Sequence, residues 1–185
     1  MDVHIRRART SDIRAVRELV DTYTADRRLL SKATVTLYEH VQEFWVAARA
    51  DDGRVIGCGA LHVMWEDLAE IRTVAVAPEC RGLKIGHRIV TELLAVARGL
   101  GVARVFCLTF EVRFFGTFGF TPIDGAPVPH SVYEQLLRSY DEGVAEFLDL
   151  ERVKPNTLGN TRMLLHLSQT SPCQPAAENR SETAQ

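Results

Sequence analysis

The chain has 185 residues, 46% hydrophobic and 25% charged, which is enough apolar content for one domain with a substantial core. Lysine and arginine (22) nearly balance aspartate and glutamate (24), and the net charge of −2 offers no basic surface to nucleic acid. No apolar run approaches the roughly 20 residues a membrane helix needs, and the charged N-terminus does not read as a signal peptide. A cytoplasmic protein with neither nucleic-acid nor membrane partners is expected. Cys58, Cys80, Cys107 and Cys173 show no Cys-x-x-Cys spacing, and the three in or beside strand-like runs read as reduced apolar filler, not as a disulfide set or zinc site.

A strand is predicted over 3–7. Thr10-Ser11-Asp12 starts a helix running to about Tyr23, with Ile13, Val16, Leu19 and Val20 on its inner face. A charged connection, 26–32, leads to a second helix over 34–42. Residues 44–50 form the next strand, and Asp52-Gly53 marks a hairpin turn. The return strand, 55–63, carries Gly57 and Gly59, which leave little side chain on one face. After a turn at Glu66-Asp67 the chain enters a strand over 68–76, where Ile71, Thr73, Val74 and Val76 are β-branched. Pro78 ends it.

From Ile85 the apolar period changes from two to that of a helix: Ile85, Ile89, Val90, Leu93, Leu94 and Ala97 share a face, and Gly99 and Gly101 close it. The turn between strand and helix, Arg81-Gly82-Leu83-Lys84-Ile85-Gly86, is basic and bears glycine. It presents backbone N–H groups at the positive end of the helix dipole, which is a site for phosphate. It is neither a Walker A loop nor Gly-x-Gly-x-x-Gly. An apolar strand over 104–110 follows, then a short helix over 111–118 in which Phe114, Phe115, Phe118 and Phe120 crowd together. A helix is predicted over 131–141, an irregular segment over 143–153 and a last strand over 161–167. The polar run 168–185 reads as a disordered tail after a domain over 1–167. Parallel strands around the long helix and antiparallel hairpins before it make a mixed α/β sheet.

The turn resembles the pyrophosphate loop of the GNAT acetyltransferase family, Gln/Arg-x-x-Gly-x-Gly/Ala. Arg81 and Gly86 match, and Lys84 stands where the middle glycine is usual. A residue with a side chain is expected to avoid φ > 0 there. Phe114-Phe115 followed by Gly119-Phe120 is similar to a second motif of the family. The resemblance implies the GNAT fold, a mixed sheet splayed around an acetyl-CoA cleft. It places the pantetheine arm on Val74, Ala75 and Val76, the pyrophosphate on Arg81, Gly82, Leu83, Lys84, Ile85 and Gly86, and Phe115 beside the thiol, where many relatives carry a proton-donating tyrosine. It implies acetyl-CoA as co-substrate and no metal.

Three stretches, around 29–44, 57–76 and 154–165, resemble the short single-domain bacterial N-acetylglutamate synthases. That likeness implies transfer of acetyl to the α-amine of L-glutamate, the first step of arginine biosynthesis, with a homodimer as an allowed assembly. Glu70 stands where family members hold a base. A carboxylate is a poor base at neutral pH unless burial raises its pKa, and pairing with Arg72 would act the other way. Lys32, His62, Arg72, Thr161 and Arg162 are the expected glutamate ligands. Arg72 shares a strand face with Glu70, so Glu70 is also its alternative partner. Two rival readings stand: acetylation of another amine (glutamine, another amino acid or a protein N-terminus), and a non-catalytic acyl-CoA sensor.

Overall fold

A computed structural model describes residues 1–24, 29, 32–153 and 159–168. Seven strands form one mixed sheet in the order β1-β2-β3-β4-β5-β7-β6. They are β1 (Val3–Arg7), β2 (Phe44–Arg49), β3 (Val55–Trp65), β4 (Leu68–Val76), β5 (Arg104–Thr109), β6 (Thr121–Pro122) and β7 (Thr161–His166). The helices are α1 (Ile13–Thr24), α2 (Thr34–Glu39), α3 (Ile85–Gly99), α4 (Val112–Gly116), α5 (His130–Leu136) and α6 (Glu142–Phe147). The expected tail beyond residue 168 and the stretch 154–158 lie outside the described residues.

β1 to β4 pair antiparallel, and the turns after β2 and β3 make β2–β3 and β3–β4 hairpins. Gly57 and Gly59 have a packing reason. A Cβ on Gly57 would lie 3.0 Å from both Ile85 and Ile89 of α3, and one on Gly59 would lie 2.8 Å from Ile89, so the glycines let α3 lie close on β3. Ile13, Val16, Leu19 and Val20 of α1 are all buried in the same core, together with Ile89, Val90, Leu93 and Leu94 of α3.

Two features were not expected from sequence. The stretch 143–153 is not irregular: α6 starts at Glu142, capped by the Asp141 carboxylate, which accepts from the N–H groups of Gly143 and Val144. Val144, Phe147 and Leu148 of this segment join Leu68, Phe106 and Leu164 in a second apolar cluster. The segment is short and holds a glycine, so its pattern is weak, yet its apolar side chains had to be buried somewhere. The predicted helix over 131–141 accordingly stops at Leu136. The second feature is a β-bulge in β4: Cys58 faces Ala75 while Ala60 faces Arg72, so β4 carries one extra residue. Thr73 sits in it at φ +56°, a left-handed conformation uncommon for a β-branched residue.

The parallel strands β4 and β5 pair only from Leu68↔Arg104 to Glu70↔Phe106, then diverge. The splay turns one edge of β4 into a cleft wall. Ala77 donates its N–H to Ile56 on β3, so the carbonyl of the same peptide, that of Val76, points into the cleft. Tyr23 at the end of α1 donates its hydroxyl to that carbonyl.

Candidate active site

The cleft has a volume of about 650 Å³, and its walls are Ile71–Val76 of β4 and residues 108–111 at the end of β5. Its floor at one end is the turn before α3. Val74, Ala75, Val76, Arg81, Gly82, Lys84, Ile85, Gly86 and Phe115, the residues that the resemblance assigns to the cofactor, all line it. Leu83 does not: it is 54% exposed on the outside of the turn. Tyr23, Thr73 and His87 line the cleft as well, without having been expected there from sequence, and so does Phe114 of the aromatic motif. Phe114, not Phe115, stands over Gly86, and Phe115 turns its ring edge-on to Phe120 in the core.

Lys84 overturns one expectation. It is the residue before the first turn of α3 and adopts φ +57°, the conformation the family's glycine would take freely. The cost is on the order of 1–2 kcal/mol. The start of α3, whose first-turn N–H groups have no partner within the helix, lines the cleft together with Arg81 and Lys84. Arg81 also stacks over the Tyr23 ring at 5.3 Å.

Arg72 joins the cleft to a polar cluster behind it. Its Nη1 donates to both Asp141 carboxylate oxygens, at 2.8 and 2.9 Å. Its Nη2 donates to Glu43 Oε2 at 2.9 Å and lies 3.0 Å from His40 Nδ1. Glu43 Oε1 is 2.8 Å from His62 Nδ1. Glu70, the partner expected from the two-residue period, is farther, at 3.6 Å. Burial pushes the Asp141 carboxyl up, but the charge and hydrogen bonds of Arg72 outweigh it and bring the pKa to about 2. For Glu70 the balance is reversed. Burial dominates, Arg72 only partly offsets it, and Asp141 adds to it, so its pKa is raised. The concern that Arg72 would make Glu70 a weaker base is therefore answered by where the guanidinium points.

His62 and Lys32 belong to this region. His62 faces Glu70 across the β3–β4 ladder, and the Lys32 charge acts on Glu70. The other two expected ligands lie apart from it. Thr161 faces Thr109 across the β5–β7 ladder and does not line the cleft. Arg162 donates to the backbone carbonyls of Glu146, Phe147 and Gly125 and stacks on Phe106, so its guanidinium fastens α6 to β7. His40, Glu43 and His62 bring ligand atoms within 4.8 Å of one another, as a metal site would. The Arg72 guanidinium already touches two of the three, so a second cation does not fit there.

Residues 13–120 match the family model described as the Acetyltransferase (GNAT) family. The chain belongs to this family. Among curated proteins, an amino-acid acetyltransferase of Mycobacterium tuberculosis is 63% identical over 164 residues, covering 88% of this chain and 94% of that one. An uncharacterized N-acetyltransferase of Chlorobaculum tepidum is 33% identical over 132 residues, covering 71% and 84%. Among solved structures, that of Rv2747 from Mycobacterium tuberculosis in complex with CoA superposes with a TM-score of 0.86 at 62% identity, covering 89% of this chain and 99% of that one. N-acetylglutamate synthase from Neisseria gonorrhoeae, complexed with coenzyme A and N-acetyl-glutamate, gives 0.73 at 24% identity, covering 91% of this chain but 36% of that one, a likeness of fold. The splayed β4–β5 pair and the Arg81–Gly86 turn are thus a GNAT cleft in this chain.

Proposed function

We propose that this GNAT protein transfers the acetyl group of acetyl-CoA to the α-amine of an amino acid, with L-glutamate as acceptor, N-acetylglutamate and CoA as products, and a place at the first step of arginine biosynthesis. The observation that carries the proposal is Arg72. It lines the cofactor cleft and at the same time anchors a buried polar cluster where the acceptor would meet the thioester. The 63% identity to an amino-acid acetyltransferase over nearly the whole chain supports the same substrate class.

In this reading the pantetheine arm extends β4 by pairing with the cleft-facing groups of Val74 and Val76. The pyrophosphate rests on the first turn of α3 with Arg81 and Lys84. The acceptor ammonium gives one proton toward Glu70, directly or through water. The freed lone pair attacks the thioester carbonyl and forms the C–N bond, and a backbone N–H near Val74 receives the oxyanion. The C–S bond then breaks with its electron pair on sulfur. The second nitrogen proton ends on that sulfur, by way of water, because Phe115 has none to give.

A second reading has its own observation. Arg72 and Arg162, meant for the two carboxylates of glutamate, are both engaged by protein groups. An acceptor with a neutral side-chain end, glutamine above all, needs fewer cations than glutamate. Release of thiol from acetyl-CoA, measured across the amino acids, tests both. Turnover with glutamate or glutamine far above other amino acids is expected. Acetyl-CoA binding without thiol release from any amino acid would sink the amino-acid reading and leave the sensor.

A further inference from the structure

Two carboxyl groups in the core have an oxygen with no hydrogen-bond partner among the described residues: Glu70 Oε2 and Glu146 Oε1. Both residues are more than nine-tenths buried, Glu70 at 3% exposure and Glu146 at 6%. A buried ionised oxygen without a partner costs several kcal/mol, so such groups hold a proton or receive one. The fold brings the two together. A Cβ on Gly143 would fall 2.1 Å from Glu70 Oε2, so the glycine is the gap in α6 into which the Glu70 carboxyl fits. Glu146 follows Gly143 by three positions and therefore lies on the same face of the helix.

We propose that Glu146 is a positioning residue that shares one proton with Glu70, and that the pair, with one proton and one negative charge, takes up the proton released by the acceptor amine. This rests on the reading of Glu70 as base.

The surroundings fit a single charge. From β4, Arg72 offers its cation to Glu70 at 3.6 Å, though its hydrogen bonds go to Asp141 and Glu43. His62 faces Glu70 from β3, Cys107 acts on it from β5, and the Lys32 cation acts on both carboxyls. On α6 itself Asp141 and Glu142 add negative charge, and Arg162 of β7 is bound to the backbone carbonyl of Glu146. Ionised together, Glu70, Glu146, Asp141 and Glu142 would set four negative charges against the three cations Arg72, Lys32 and Arg162. Burial, then the neighbouring Glu70, push Glu146 up to about 8, so at neutral pH it carries the proton. As an acid it donates to the Glu70 carboxylate, which keeps Glu70 ionised and ready to accept. When the amine gives up its proton, the pair becomes neutral, and loss of one proton to water resets it.

The test compares Glu146→Gln, which keeps a donor but cannot ionise, with Glu146→Leu, which removes the donor. Near pH 7 the glutamine variant keeps kcat within a few-fold of the parent. The leucine variant loses about tenfold or more, with the acid limb of the pH–rate profile moved up by about one unit or more. The Michaelis constant for acetyl-CoA stays unchanged in both, because Glu146 does not line its cleft. Equal profiles for the two variants, with a change only in melting temperature, overturn the proposal. A second readout needs no turnover. In carbon-13 spectra of glutamate-labelled protein, one carboxyl titrates near 8 in the parent and is absent from Glu146→Gln. If the parent shows that titration but acetylates no amine, the functional reading fails while the shared proton stands. If both carboxyls are ionised from pH 6 upward, the shared proton fails whatever the activity.

Discussion

Arg72 shows what a residue's position in sequence reveals and what it hides. Its place on an apolar strand, two residues from Glu70, announces a buried cation needing an acidic partner. The acid that binds it most fully, Asp141, is 69 residues away and could not be read from spacing. The buried carboxyls around it make a pH prediction with opposite signs. Asp141 titrates at about 2 when folded against its ordinary 3.8, so its contribution is full above 3.8 and is lost as pH falls toward 2. Glu146 titrates at about 8 when folded against 4.5, so the folded chain holds the proton more tightly. Its contribution is full below 4.5 and is lost as pH rises through about 8. Glu146→Gln should therefore flatten the decline of thermal stability between those two values. Melting temperatures across that window check it, and a slope equal to the parent's would contradict it.

At the scale of the element, α6 is the part of the fold least visible in advance. Six residues with a glycine among them make a poor helix by propensity. It forms because Asp141 caps it, Arg72 holds the cap to β4, Arg162 holds its last carbonyls to β7, and Val144 and Phe147 are buried. Asp141→Ala removes the cap and strips Arg72 of its bidentate partner, a loss of roughly 2–4 kcal/mol. Asp141→Asn keeps an acceptor for Gly143 and should recover part of it. Urea unfolding of the two variants gives the comparison; equal stability would mean that Asp141 does not organise α6. The long helix α3 is the opposite case. Its apolar period and closing glycines predict a helix from Ile85, and it runs from Ile85 to Gly99.

For the whole molecule, the consequence of the splay is a cleft that no single element owns. Filling it with acetyl-CoA should raise the melting temperature of the parent in a concentration-dependent way. Gly86 sits at its basic end, where a Cβ would meet Phe114 and Val76 at 3.6 Å, an ordinary contact. Gly86→Ala should therefore fold and still respond to acetyl-CoA. Gly86→Asp puts a negative charge against the pyrophosphate and should fold without responding. A full shift in the aspartate variant would show that the Arg81–Gly86 turn does not hold the cofactor.

Sequence alone determined the parts whose cause is local. These are the β-branched strands, the helix period from Ile85, the hairpin turn at Gly53, the basic turn at Arg81–Gly86 and, through it, the family. Tertiary structure decided what depends on distant groups meeting. It placed Arg162 on the backbone carbonyls of α6 and Thr161 against Thr109, whereas the family resemblance had implied that both bind the acceptor. It accepted a left-handed Lys84, because packing of α3 against the sheet outweighs a backbone cost of about 1–2 kcal/mol. It also set the charge state of the buried acids, since a carboxyl's pKa follows its burial and neighbours, and those exist only once Gly143 has closed over Glu70.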